Sequence, residues 1–179
     1  MNHSVNSQPF GAAGEVPVVL LEDFRELARA TLPPDVFDYI EGWASDGLTY
    51  HANRSDFDTL SLAPLVMRDV SRPDVTATYL GRSSALPLGF SPSAFHQLAH
   101  SSAEIATAQA ACKHDIPMIV SAMSSRTLEE IAGQAQGGRL WLHVYLFKDR
   151  GVTRELVARA EAAGFEAISL GLGCPAMGK

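Results

Sequence analysis

Leu86-Pro-Leu-Gly-Phe-Ser-Pro-Ser-Ala-Phe95 begins as a short apolar run and breaks into Pro, Ser and Ala, the pattern of a buried strand that delivers a small-residue loop. Three later runs repeat it, at Met118–Ser124, Leu140–Phe147 and Ala167–Cys174, with helical patterns between them. Strand, helix, strand at a spacing of about 25 to 31 residues is the rhythm of a parallel β/α fold. Such crossovers are right-handed, and ligands gather beyond the carboxyl ends of the strands. The residues delivered to that end are Pro92, Ser93, Ala94, Ser121, His143, Tyr145 and the run Gly171–Cys174.

The intervening helices carry their own boundary signals. Ser101-x-x-Glu104 and Thr127-x-x-Glu130 both read as capping boxes, in which hydroxyl and carboxylate satisfy the first backbone donors of a helix. Ile105, Ala108, Ala111 and Cys112 then fall at helical spacing, as do Leu156, Val157, Ala160 and Ala163, with Gly164 as a stop.

A chain of 179 residues can bury a real core. Its net charge of −6, with no basic cluster, argues against nucleic acid or an anionic membrane and favours a small soluble substrate. Met1–Glu15 lacks the basic and apolar regions of a signal peptide, and no apolar run has membrane-spanning length, so a cytoplasmic location is expected. Two cysteines make no disulfide framework: Cys112 reads as core, and Cys174 as a loop residue with no base to activate it. His96 and His100 are four apart, yet the helix starts only after them and no third ligand is evident, which makes a loop or packing role the reading and assigns no metal site.

Ahead of the β/α region, residues 1–17 read as a mobile tail. Residues 18–85 read as a preamble: a helix over Leu20–Leu32, a second from Asp35 to Gly42, a short helical or extended piece at Asn53–Leu62, and a strand pair within Val66–Leu80 turned at Ser71–Asp74. Residues 86–179 are then the first half of a barrel.

Several strings, in order, resemble one family. Leu32-Pro-Pro-Asp-Val-Phe-Asp-Tyr39-Ile-Glu-Gly42, Asn53-Arg54 with Phe57, Leu80-Gly81, Ser91-Pro-Ser-Ala94, Leu98-Ala-His100, Glu104, Ser121, Tyr145 with Lys148-Asp149 and Arg159-Ala-Glu-Ala-Ala-Gly164 are similar to the FMN-dependent 2-hydroxy acid dehydrogenases and oxidases, such as glycolate and lactate oxidase. The resemblance implies an α/β fold: a partial TIM (β/α)8 barrel of about four β/α units behind a helical preamble, with FMN at the carboxyl-end face. It implies hydride transfer from a 2-hydroxy acid to flavin N5, giving a 2-oxo acid. By the same resemblance Tyr39 binds the substrate carboxylate and Tyr145 faces the substrate. Pro92, Ser93 and Ala94 lie along the flavin, and Ser121 and His143 hydrogen-bond it.

The departures are equally specific. His143 stands where the family has Gln, and Gly171-Leu-Gly-Cys-Pro175 where it has Thr-Val-Asp-Thr-Pro. In the family the catalytic His, the carboxylate-gripping Arg and a Lys near flavin N1 lie in the second half, so no catalytic base is assigned among these residues. Two readings stay open: the amino-terminal half of a flavin oxidoreductase, or a catalytically inactive truncated paralogue that partners another barrel. Four parallel strands cannot close, so association as a homo-oligomer or with a complementing half-barrel is expected.

Overall fold

The computed structural model describes residues 18–173; the expected tail (residues 1–17) and Cys174 lie outside the described residues. The chain divides into two compact units, one over Val75–Gly173 and one whose described part is residues 18–74.

The smaller unit holds α1 (Leu21–Thr31), α2 (Pro34–Glu41) and α3 (Leu48–Ser55), the last running into a 3-10 turn at Asp56–Thr59. Pro34 occupies the first turn of α2, where a missing N–H costs nothing, and Leu32 ahead of the two prolines is extended. Ion pairs more than apolar burial join these helices, since Phe37 is their one buried hydrophobic residue among those described. Arg25 reaches from α1 to Glu41 (2.6 Å), which also accepts from the Tyr50 hydroxyl (2.6 Å), and Arg54 of α3 pairs with Glu22. Arg25, and then Tyr50, hold the Glu41 carboxyl below its ordinary value, while Glu41 pushes the Tyr50 phenol up. Glu41 and Arg54 both belong to the family-like strings, and here they fasten helix to helix.

The larger unit begins with a hairpin, β1 (Ala77–Tyr79) and β2 (Arg82–Ser84), paired antiparallel. The strand pair is therefore later than the expected turn at Ser71–Asp74, because the turn chemistry lies at Leu80-Gly81. Both residues have left-handed φ (51° and 79°), as a two-residue hairpin turn demands. Then follow α4 (Ala103–Lys113), β3 (Pro117–Ser121), α5 (Leu128–Gln134), β4 (Arg139–Tyr145), α6 (Arg150–Ala162) and β5 (Ala167–Gly171). The parallel sheet runs β3-β4-β5, with Met118 opposite Leu140 and Leu142 opposite Ile168.

The first expected barrel strand, Leu86–Ser91, is reduced to one parallel bridge, Phe90 to Met118. Pro87 has no N–H to give a ladder; pairing survives where Phe90 N–H donates to the Pro117 carbonyl (2.9 Å) and Ile119 N–H to the Phe90 carbonyl (2.9 Å). Among the described residues, the expected four or so β/α units appear as three full parallel strands and a bridge, an open partial barrel.

One face of β3 and of β4 is buried under helices. Met118, Val120, Leu140, Leu142 and Val144 pack with Ala108, Ala111, Leu128, Ile131 and Ala160. Full burial of each large side chain contributes about 1.5–3 kcal/mol. Thr127 forms the expected capping box with Glu130 at the start of α5. Past α6, Phe165 N–H reaches the Ala160 carbonyl and Gly164 N–H the Glu161 carbonyl, closing a Schellman motif at the expected stop.

Candidate functional site

The strand faces opposite that core carry the candidate site. Register places Ser121 of β3 beside His143 of β4, and His143 beside Ser169 of β5; two residues on, Tyr145 is opposite Gly171. Ser121 is buried, and its Oγ accepts the Met123 N–H (3.1 Å), leaving the hydroxyl proton to donate elsewhere. The His143 and Tyr145 rings meet edge-on with centroids 4.8 Å apart. Neither His143 ring nitrogen takes a hydrogen bond from the described residues, and the ring is half-buried.

Gly171 makes this ring pair possible. A Cβ built there would stand 2.7 Å from the Tyr145 ring and 2.9 Å from His143 Nε2, so any side chain at 171 would displace one of them. In the sequence Gly171 stands out only as a glycine where the family has Thr. Its role as the floor beneath two rings had no signal short of the strand register.

Pro92 and Ala94 are half-buried and Ser93 exposed, on the loop that leaves the Phe90 bridge. That loop is tied to the one after β3: Phe95 N–H donates to the Met123 carbonyl (3.2 Å) and Gln97 N–H to Ser125 Oγ (3.2 Å). The structure thus brings Pro92, Ser93, Ala94, Ser121, His143 and Tyr145 into one unit at the carboxyl ends of adjacent strands. Tyr39 lies on α2 in the other unit and is more than half exposed (57%), so it is not a core aromatic of its helix.

The Ser101 capping box does not form. Helix α4 starts one residue later, behind Ser102, with no side-chain cap, and Glu104 is buried. Its Oε1 accepts the backbone N–H groups of His96 (3.2 Å) and Ser125 (2.8 Å) instead. His96, half-buried, contacts Thr107 through Nδ1 (3.2 Å), and the exposed His100 accepts the Ser102 N–H on Nδ1 (3.1 Å) within its own loop. No cluster of metal-binding side chains exists among the described residues. Cys112 is half-buried, with Sγ 3.5 Å from the Gln136 carbonyl.

At the opposite end of the strands the structure holds a charge network that sequence reasoning missed. Arg139, only 2% exposed, donates to the carbonyls of Ser83 and Tyr79 (3.0 Å each) and to Glu166 Oε2 (3.3 Å). Glu166 also pairs with Arg82. The available signal was a charged residue opening the apolar run of β4.

The family model for FMN-dependent dehydrogenases matches residues 28–179. The chain belongs to that family. It is 40% identical over 162 residues to the peroxisomal (S)-2-hydroxyacid oxidase GLO4 of Arabidopsis thaliana, covering 90% of this chain and 44% of the relative. It is 39% identical over 166 residues to an L-lactate oxidase of a Nostoc species, covering 91% of this chain and 45% of the relative. Among solved structures, a mandelate oxidase variant holding a C4a-OH-FMN adduct superposes with a TM-score of 0.83 at 34% identity, covering 88% of this chain and 47% of that one. This family member thus spans a little under half the length of these relatives. Among its described residues no helix is long and apolar enough to cross a membrane.

The donor set fits a flavin. Ser121 offers a hydroxyl proton and His143 a ring nitrogen on adjacent strands, and the bare backbone at Gly171 makes room for the His143 and Tyr145 rings beside them.

Proposed function

We propose that this chain forms the flavin-facing part of an oxidoreductase that converts 2-hydroxy acids to 2-oxo acids. One observation carries the reading: Ser121, His143 and Tyr145 stand in register at the carboxyl ends of adjacent strands, over a glycine that a side chain would foul. FMN, when bound, supplies a two-electron acceptor for the substrate's C2 hydride. Ser121 donates its hydroxyl proton to the polar edge of the flavin, and His143 offers it one ring nitrogen. Pro92, Ser93 and Ala94 give a low surface along the ring, small enough for close approach. Tyr39 and Tyr145 present phenolic hydroxyls to the substrate, Tyr39 to its carboxylate. A further parallel strand pairs with the edge of β5 that no described strand covers, where Ile168 and Leu170 are about two-fifths exposed.

Titrating the chain with FMN, followed by flavin fluorescence, tests this. Saturable binding is expected, weakened about 5-fold in Ser121→Ala and in His143→Ala, the worth of about 1 kcal/mol per hydrogen bond. No saturable binding, or variants indistinguishable from wild type, would refute it. For the whole protein, production of 2-oxo acid from (S)-2-hydroxy acids that falls in Tyr39→Phe tests the substrate assignment.

A further inference from the structure

We propose that Glu104 is a positioning residue for the cofactor site: its buried carboxylate clamps the loop carrying Pro92, Ser93 and Ala94 to the loop following Ser121, so that the flavin-facing surface is formed before FMN arrives. The proposal rests on the flavin reading above. A single oxygen, Oε1, accepts N–H groups from residues on two different loops, His96 at 3.2 Å and Ser125 at 2.8 Å. The Ser125 bond is the shortest of the links between those loops: Phe95 N–H to the Met123 carbonyl and Gln97 N–H to Ser125 Oγ are both 3.2 Å.

Three features mark the clamp as more than packing. Glu104 is fully buried, and its second oxygen, Oε2, finds no partner among the described residues. An unsatisfied buried oxygen weakens a fold and demands a reason for being kept. Two non-glycine residues beside the clamp hold left-handed backbone, Phe95 (φ 55°) on the loop and Ala103 (φ 49°) next to Glu104. Strained conformations of this kind persist where the surroundings impose them, and they gather at binding sites. A loop already held in place loses less conformational freedom on binding, so the benefit appears as cofactor affinity.

Hydrogen exchange and FMN titration on the 179-residue chain, in wild type and in Glu104→Ala, Glu104→Asp and Glu104→Gln, test the clamp. In Glu104→Ala the amides of His96 and Ser125 are expected to exchange together, faster by about 10-fold or more, with the β3–β5 amides unchanged and FMN affinity lower by a similar factor. Glu104→Gln keeps an acceptor oxygen at the same reach and stays within about 3-fold of wild type on both readouts, whereas Glu104→Asp, one methylene short, follows alanine. If alanine costs the sheet its own protection, the Asp and Gln pair decides. Unchanged exchange at His96 and Ser125, or loosening of one loop alone, overturns the clamp. Loosened loops with unchanged FMN affinity overturn the positioning role and leave Glu104 structural. A wild-type chain that takes up no FMN overturns the cofactor reading beneath the proposal, while the exchange result still reports on the clamp.

Discussion

Replacing Arg139 with alanine strips three hydrogen bonds from a nearly sealed site: the carbonyls of Tyr79 and Ser83 lose their 3.0 Å donors, and Glu166 loses one of two cationic partners. Breaking a buried ion pair by removing one member costs about 3–5 kcal/mol, and each orphaned carbonyl about 1–3 kcal/mol. These losses overlap, and Arg82 remains to neutralise Glu166, so about 3–5 kcal/mol is expected for the whole change. That is a large share of a typical domain stability of about 5–15 kcal/mol. Arg82→Ala is the control: its side chain is mostly exposed (60%), and its removal should cost about 1 kcal/mol or less. Urea unfolding read by Trp141 fluorescence suits the assay, because its indole lies 3.4 Å from Glu166 and edge-on to Tyr79, and Trp43→Phe removes the other tryptophan. With a urea slope of about 1–2 kcal/mol per molar, Arg139→Ala should lower the midpoint by about 1.5 M or more. Equal effects from the two arginines, or a loss under about 1 kcal/mol for Arg139→Ala, would refute the network as the anchor between the hairpin and β4.

Three further outcomes follow from the geometry. Gly171→Ala should change stability by no more than about 1 kcal/mol, because Tyr145 is partly exposed and can swing, but it should shift the His143 ring resonances in NMR spectra; unshifted signals would show that the ring pair does not rest on Gly171. Arg159 grips Glu129 with two 2.8 Å bonds and holds its carboxyl down to about 2 from an ordinary 4.5, so this link between α5 and α6 adds stability above the unfolded value and loses it as pH falls from about 4.5 toward 2. Thermal melts of wild type and Arg159→Gln should converge across that window, and parallel curves would count against the pairing. Thr127→Ala should cost about 1 kcal/mol by thermal or urea melting, as removal of a capping box does, and a neutral result would mean that packing of Leu128 and Ile131 alone holds α5.

Strands β3 and β4 were legible because their apolar residues are buried by helices on one face and their polar ones, Ser121 and His143, fall in step on the other. Thr127 was legible because nothing competes for its carboxylate partner. Glu104 misled because the same box pattern serves either a helix start or a reach into neighbouring loops, and two loop amides outcompete one local cap. The hairpin was misplaced because the alternation from Val66 to Leu80 outweighed a better turn at Leu80-Gly81. At the site, the neighbours Ser121 and His143 were within reach of strand counting. The demand for a bare backbone at Gly171 was not, since it depends on two rings on the next strand.

The sheet is laid down in the order in which it is encoded. Phe90 bridges to β3, β3 pairs with β4 and β4 with β5, and no strand waits for a later segment to slip between earlier neighbours. Emerging from a ribosome, each strand meets an edge that is already formed and each helix a partly built surface, so assembly can keep pace with synthesis. Chaperone demand should therefore track the newest strand, with the Met118–Val144 core already packed while Ile168 and Leu170 of β5 stay about two-fifths exposed.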